Sequence, residues 1–308
     1  METSSLIRAE PSGEAAFMKH RVVVAGGDAR DAWLCRFLAG QEFHVECWGM
    51  TIAEIEPFKP QRQGPDILIG PMTGIGPRGS METIEGSQSI TPQLLAKMPE
   101  GGIVAAGLVA ADVRTWAQEL GLMTVEYRKQ PIFMWLNAVP TAEGALKAAL
   151  GRSGFTVYHR SFAILGFGRV GSVLALRLQS YGASPEIFER SEERRAMASA
   201  YGFRVHALDP QWCPPVDGIF NTIPHPVLTP EWFDLTDPAW IVDLASKPGG
   251  LSFHLYDKPE YSARYESILG IPGQVAPRRA AEIIWETLSV AISDCEFNPV
   301  VKAQERRT

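Results

Sequence analysis

The chain has 308 residues, 45% of them hydrophobic, and a net charge of −6; its length points to two domains, and interspersed acids and bases leave no basic footprint for nucleic acid. No apolar run reaches the ~20 residues of a membrane span. Four scattered cysteines (Cys35, Cys47, Cys213, Cys295) form no CxxC pair and fit a reduced cytosolic protein, while six histidines without ligand spacing give no reason to expect a metal.

Met1 to Glu10, which includes Glu2, Arg8 and Glu10, has no apolar signal core and reads as a short disordered leader. Arg21-Val-Val-Val-Ala25 reads as a strand that ends in Gly26-Gly27-Asp28-Ala29-Arg30. A helix follows from about Asp31 to Ala39, with Trp33, Leu34, Phe37 and Leu38 as its apolar stripe. Further strands are expected at 43–48, 66–70, 102–107 and 124–127, with a helix over 112–120. Short apolar strands alternating with amphipathic helices imply a parallel sheet covered on both faces. Ligands of such sheets sit at the carboxyl ends of the strands, where Gly26 to Arg30 and Gly70 to Gly79 fall. Pro71 to Ser89 shows no clear periodicity and is either a mobile active-site loop or a poorly packed excursion. Asn137-Ala-Val-Pro-Thr-Ala-Glu-Gly-Ala145 opens a linking helix running to about Leu150, with Thr141 as N-cap.

The run Phe162-Ala-Ile-Leu-Gly166-Phe167-Gly168-Arg169-Val170-Gly171 is a buried strand breaking into a glycine turn that opens a helix. The helix over 170–180 carries Val170, Val173, Leu174, Ala175 and Leu178 on one face, Gly182 stops it, and a strand at 185–188 follows. Gly166 serves the tight turn, Gly168 lets backbone approach phosphate, and Gly171 lets helix pack on strand. The helix start offers free N–H groups and a positive dipole end to an anion. Further strands are expected at 204–206, 218–221, 241–244 and 267–269, and a last helix over 280–292 returns to the first domain. The expected fold is α/β: two doubly wound parallel-sheet domains, the second a Rossmann dinucleotide-binding domain. Residues 1–150 with the C-terminal helix at 279–308 form a flavodoxin-like substrate and catalytic domain. Residues 151–278 form the NAD(P)-binding domain.

An acid about 20 residues past such a fingerprint binds the ribose 2′-hydroxyl of NAD, and a nearby Arg accommodates the 2′-phosphate of NADP. Here Glu189, Arg190 and Ser191 stand in a row, so the segment does not decide between them. Thr222-Ile223-Pro224 and Asp243-Leu-Ala245-Ser246-Lys247 end the next two inner strands and are expected to line the nicotinamide end of the cofactor. Gly249 and Gly250 permit close ligand approach. Lys247, Arg30, Arg278 and Arg279 are candidate partners for an anionic ligand, and His225 is a candidate acid–base group.

Gly26 to Arg30, Asn137 to Gly144, Leu165 to Gly171, Asn221 to Pro224, Val242 to Gly250 and Gly270 to Pro277 occur in an order that resembles the A subunits of dipicolinate synthases from spore-forming bacteria. The resemblance runs from about Arg21 to Ile292. It implies a cytosolic enzyme of the sporulating mother cell that oxidises dihydrodipicolinate, a branch-point intermediate of lysine synthesis, to dipicolinate with an NADP-type cofactor, NAD being possible. It also implies, as partner, a flavoprotein-like B subunit; a homo-oligomeric state is expected besides, with no nucleic-acid or membrane partner. The candidate catalytic residues are Lys247, Arg278 and His225, and the candidate substrate-binding residues are Arg30, Asn137, Thr141, Glu143 and Arg279. The chain departs from the family with Lys247 for Arg and Arg278 for Lys, which keep charge but not the guanidinium fork. It departs also at His225 and Glu189, and residues 71–89 match poorly.

A substrate carrying two carboxylates needs a local cationic pocket on an acidic protein. Aromatisation drives the reaction, so the enzyme has mainly to position the ring and accept a proton. One alternative is a D-2-hydroxy-acid-type dehydrogenase, but the loop Gly273-Gln-Val-Ala-Pro-Arg-Arg279 lacks the histidine that family places before its last helix. Another is a non-catalytic dinucleotide-binding regulatory subunit.

Overall fold

The structure, a computed structural model, describes residues 20–41, 43–154 and 156–297. The expected leader at Met1 to Glu10 lies outside the described residues. The chain divides into two units, residues 1–133 with 277–308, and residues 134–276. The boundary expected at 150 falls at the far end of the helix in which the first division occurs.

The first unit runs β1 (Arg21–Ala25), α1 (Ala29–Ala39), β2 (His44–Trp48), β3 (Glu56–Pro57), β4 (Ile67–Ile69), β5 (Ser80–Thr83), β6 (Gly86–Ser89), α2 (Pro92–Leu95), β7 (Ile103–Ala106), α3 (Ala111–Glu119) and β8 (Met123–Glu126). Its main sheet is parallel, in the order β3-β2-β1-β4-β7-β8. Counting main-sheet strands, this is the order 3-2-1-4-5-6 of dinucleotide-binding sheets. The flavodoxin-like order expected from the sequence would be 2-1-3-4-5. Val23 and Ala25 of β1 join Leu68, Val104, Val113 and Ala117 in one core layer. Val22 and Val24, equally buried, point to the opposite face.

Residues 71–89 are not a poorly packed excursion. Ile75 bridges to Val109, and β5 and β6 form an antiparallel ribbon with Met81 and the following Ile90 buried. Gly79 has φ +74°, and a Cβ there would lie 1.9 Å from the Ile90 carbonyl oxygen. The turn needs glycine, and its glycines hide the ribbon from a periodicity reading.

The helix α4 (Pro131–Ser153) starts earlier than expected and carries Pro140 inside it. A proline normally argues for a helix boundary just before it, which is why the sequence suggests a start near Thr141. Thr141 is instead mid-helix, and its hydroxyl donates to the Asn137 carbonyl at 2.7 Å.

The second unit continues with β9 (Ser161–Leu165), α5 (Arg169–Ser180), β10 (Ser184–Phe188), α6 (Glu192–Ala200), β11 (Arg204–His206), β12 (Gly218–Asn221), α7 (Pro230–Asp234), β13 (Ile241–Asp243), α8 (Pro259–Ser262), β14 (Tyr265–Ser267) and α9 (Ile271–Val275). The sheet is parallel in the order β11-β10-β9-β12-β13-β14, again 3-2-1-4-5-6. Phe162 and Ile164 face a core with Leu174, Ala175 and Leu178 of α5. Ala163 and Leu165 face the other, with Trp232 and Phe233. This two-sided burial explains the continuous apolar run of β9. The last strand lies two residues before its expected place, because Tyr265 is tied to Asp243 of β13 by a 2.6 Å bond. Finally α10 (Pro277–Phe297) belongs to the first unit, where it packs along α1 and sets Trp285 edge-on to Phe43, ring centres 5.2 Å apart. The last helix therefore returns to the first domain, as expected.

Candidate functional site

In the second unit the carboxyl end of β9 breaks at Gly166, which has φ +94°. A Cβ on Gly166 would lie 2.6 Å from Thr222 Oγ1, and one on Gly171 2.1 Å from the Gly166 carbonyl oxygen. The helix thus packs on the backbone of the turn, and the turn on the Thr222 hydroxyl, with no room for a side chain. Gly168 differs: nothing lies within 4 Å of its would-be Cβ. It is the N-cap of α5 and makes no side-chain cap bond. The first N–H groups of a helix have no intrahelical acceptor, so the turn leaves a side-chain-free cradle of amides in open space. That is the form a pyrophosphate requires, and Gly166 to Gly171 fit the group. Phe167 is a core residue, edge-on to Phe203, and contributes only its backbone to the turn.

Glu189, just past β10, is buried beside this turn. Its Oε2 accepts the Phe167 N–H at 2.8 Å, and its Oε1 accepts the Ser191 N–H at 3.0 Å. Ser191 caps α6 through its hydroxyl, and Arg190 is exposed.

At the ends of β12 and β13 the expectation for Asp243 needs correction. It is fully buried, and its two oxygens accept from Asn221 Nδ2 (2.8 Å), the Ala245 N–H (2.9 Å), the Gly250 N–H (2.6 Å) and the Tyr265 hydroxyl (2.6 Å). Asp243 therefore shapes the loop and has no capacity left for a ligand. Burial and the bond to Asp243 both push the Tyr265 phenol above its ordinary value, so it stays a neutral donor. Gly249 and Gly250 serve the same network, since a Cβ on Gly250 would lie 2.2 Å from Asn221 Nδ2. Their closeness is to protein, not ligand. Ala245 is buried, and the loop presents Ser246 and Lys247 to solvent. Thr222 returns its hydroxyl to the Leu165 carbonyl at 2.9 Å, Ile223 is half-buried, and Pro224 and His225 are exposed.

Two expected substrate residues of α4 are placed away from this end. Thr141 is buried in its own helix, and Glu143 faces Arg177, near the carboxyl terminus of α5, at 3.9 Å. Glu143 lines a surface cavity of about 480 Å³ with Lys147, Val157 and Tyr181. Val157 precedes β9 and Tyr181 follows α5, so the cavity lies at the amino end of the sheet, opposite the glycine turn. Asn137 is half-buried and gives its carbonyl to Thr141.

In the first unit the equivalent turn is built differently. Asp28 caps α1, accepting the Arg30 N–H at 2.9 Å, and Asp31 Oδ2 accepts the N–H groups of Gly27 (2.8 Å) and Asp28 (3.0 Å). Two carboxylates thus fill the place that glycine leaves open in the second unit. Arg30, expected to meet substrate, is buried and forks onto Asp28, with Nη2 to Oδ2 at 2.5 Å. Burial alone would raise the Asp28 carboxyl, but the Arg30 bonds and charge outweigh it and hold it below the ordinary range. Asp31 is fully buried with Oδ1 unpartnered, and burial followed by the Asp28 charge pushes it up to about 7.

Arg278 and Arg279 also spend their charge locally. Arg278 pairs with Glu282, and Arg279 with Glu282 and Glu286, all on α10. Sequence reasoning missed a cavity of about 470 Å³ past the carboxyl ends of β4, β7 and β8, lined by Gly74, Leu108, Arg114, Glu126 and Lys129 among others. Burial raises Glu126, yet Lys129 and the Val109 amide prevail and hold it low. Two cations around one carboxylate leave a net positive wall. Arg114 and Lys129 sit two or three residues past strands and helix starts without a motif, so no spacing signals them. Burial pushes the Cys213 thiol to about 12 and Cys35 also upward, so neither is an activated nucleophile. Among the described residues no three His, Cys, Asp or Glu are placed to hold a metal, and no helix is long and apolar enough to cross a membrane.

Residues 21–128 match the family described as the N-terminal domain of the dipicolinate synthase A subunit. The dipicolinate synthase A subunit of Bacillus subtilis (strain 168) is 26% identical over 294 residues, which cover 90% of this chain and 97% of that protein. The crystal structure of the dipicolinate synthase A subunit from Bacillus halodurans superposes with a TM-score of 0.76 at 26% identity, covering 88% of this chain and 97% of the other. A transhydrogenase from Sinorhizobium meliloti shares the fold alone, with a TM-score of 0.59 at 13% identity over 88% of this chain and 95% of its own. The resemblance to dipicolinate synthase A subunits, carried in the sequence by six short segments, holds along both units.

Proposed function

We propose, with that likeness as premise, that the chain is the A subunit of a dipicolinate synthase: an NAD(P)-linked oxidoreductase that converts dihydrodipicolinate to dipicolinate, pyridine-2,6-dicarboxylate. One observation carries the dinucleotide part. Two sheets of the same strand order occur in one chain, and only the second leaves its first helix start free of side chains. In the first unit Asp28 and Asp31 already occupy the amides that would receive a phosphate.

When bound, the nicotinamide ring supplies the hydride acceptor. The chain's own residues do the positioning. Gly168, Arg169 and Val170 present backbone to the pyrophosphate, Thr222 to Pro224 end β12 at its crevice with β9, and Ala245 to Ser246 end the next strand, β13. Lys247, exposed on its loop, is the cation placed to meet a substrate carboxylate in this unit. His225, exposed beside Pro224, is the acid–base candidate. The first unit offers Arg114 and Lys129 in its carboxyl-end cavity as further cations for a small dianion. The same premise assigns the chain a flavoprotein-like B subunit, together with a homo-oligomeric state and a place in the cytosol of a sporulating mother cell.

The test is dipicolinate formation by the purified chain from freshly generated dihydrodipicolinate with NAD⁺ or NADP⁺, with and without the B subunit, read by lanthanide luminescence. Dinucleotide-dependent product is expected. Dinucleotide binding with no product in any combination would overturn the assigned reaction and leave a binding subunit.

A further inference from the structure

The row Glu189-Arg190-Ser191 does not by itself choose between a dinucleotide with a free 2′-hydroxyl and one with a 2′-phosphate. We infer from its geometry that this chain takes NAD(H) rather than NADP(H), and that Glu189 is the residue that discriminates. The inference rests on the dinucleotide reading above and reverses the NADP expectation that the resemblance carries.

Glu189 does not point away from the turn as a solvated charge would. Its side chain is 3% exposed and stitches the glycine turn to the end of the second strand of the sheet, taking the Phe167 N–H on one oxygen and the Ser191 N–H on the other. In this fold the adenosine ribose lies between those two elements. An ionised carboxylate has about four lone-pair sites, and the two amides use two. What remains can accept from hydroxyl groups, and a ribose 2′,3′-diol is a pair of donors. A 2′-phosphate is an acceptor only and carries charge of the same sign, so it meets Glu189 with neither a hydrogen bond nor an attraction.

Of the arginines that could meet a phosphate, Arg190 is exposed, Arg194 faces Glu189 itself, and Arg195 is engaged with the backbone. Arg195 gives Nη1 to the carbonyls of Glu189 (2.9 Å) and Arg190 (2.7 Å) and reaches Glu192 at 3.7 Å. Arg194 lies 3.8 Å from Glu189 Oε2 and is 56% exposed. The Ser191 hydroxyl is the cap of α6, and Glu192 and Glu193 add two further negative charges in its first turn. A hydroxyl at the 2′ position gives Glu189 a donor, and a phosphate there gives it none.

The experiment is fluorescence titration of the intact chain with NADH and with NADPH. NADH is expected to bind at least about tenfold more tightly. Glu189→Gln keeps one acceptor for the turn amides and removes the charge, and it should shrink that ratio to within about threefold. A circular-dichroism melt of the variant checks that the turn survives, while the wild-type ratio stands without any variant. Equal or tighter binding of NADPH by the wild type would overturn the inference, as would selective loss of NADPH binding in Arg190→Ala. If neither nucleotide binds, the dinucleotide reading itself fails and takes this inference with it.

Discussion

Asp31 is a carboxyl held entirely out of water. The unfolded chain titrates it near the ordinary 3.8, whereas burial moves it to about 7 in the fold. Between those values the folded state holds a proton that the unfolded state releases. Its contribution to stability is therefore complete below about pH 4 and is lost as pH rises through about 7. Asp31→Asn keeps an oxygen for the Gly27 and Asp28 amides and sets an NH₂ at the unpartnered Oδ1 position. Relative to wild type, the variant should gain roughly 2 kcal/mol between about pH 5 and pH 8, measured as unfolding midpoints in urea at both values. A constant difference would show that Asp31 is ionised throughout. At the same scale, Gly168 has φ −82° and open space around its missing side chain, so Gly168→Asp should leave the melting curve unchanged. It should nonetheless weaken dinucleotide binding by at least about a hundredfold, since its carboxylate would stand where the pyrophosphate belongs. Unchanged affinity would dissociate the glycine turn from cofactor binding.

Among elements, the β12–β13 corner shows how a loop is fixed by what lies under it. Asp243→Asn would set an NH₂ against donors from Gly250 or Tyr265 and should cost about 3 kcal/mol, read by thermal or denaturant unfolding. Because the loop carrying Lys247 hangs on that carboxylate, catalytic rate should fall with it. A stability loss without any change in rate would mean the loop serves no catalytic purpose. Elements made by local pattern were legible in the chain: β1 and β9 as apolar runs, α5 from its stripe and glycine turn, and the nucleotide cradle because strand, turn and helix are contiguous. What depends on distant partners was not. The β5–β6 ribbon is specified by Met81, Ile75 and Ile90 reaching a core built elsewhere, and α4 runs through Pro140 because packing outweighs one missing N–H. Asp243 reads as a ligand candidate, since the donors that consume it come from positions 221, 245, 250 and 265.

For the whole molecule, the two units differ in how the chain composes them. The second is one continuous segment, 134–276, while the first needs residues from both ends. A chain ending at 276 loses α10, which buries Ala281, Ile284, Leu288 and Ile292 in the first unit. Removing that face should destabilise the first unit severely, since each large buried aliphatic contributes about 1.5–3 kcal/mol. The second unit keeps every element of its own sheet, so NADH binding should persist. Limited proteolysis of the truncated chain should therefore digest the first unit and spare a dinucleotide-binding fragment. Loss of both together would show that the units fold as one.

The return of α10 also sets an order of events at the ribosome. Domains ordinarily mature from the amino terminus as they emerge, but here the first unit cannot close until the last helix has been translated. The second unit, complete once residue 276 leaves the exit tunnel, is ready first. Until then the flank of α1 that α10 covers is without its partner.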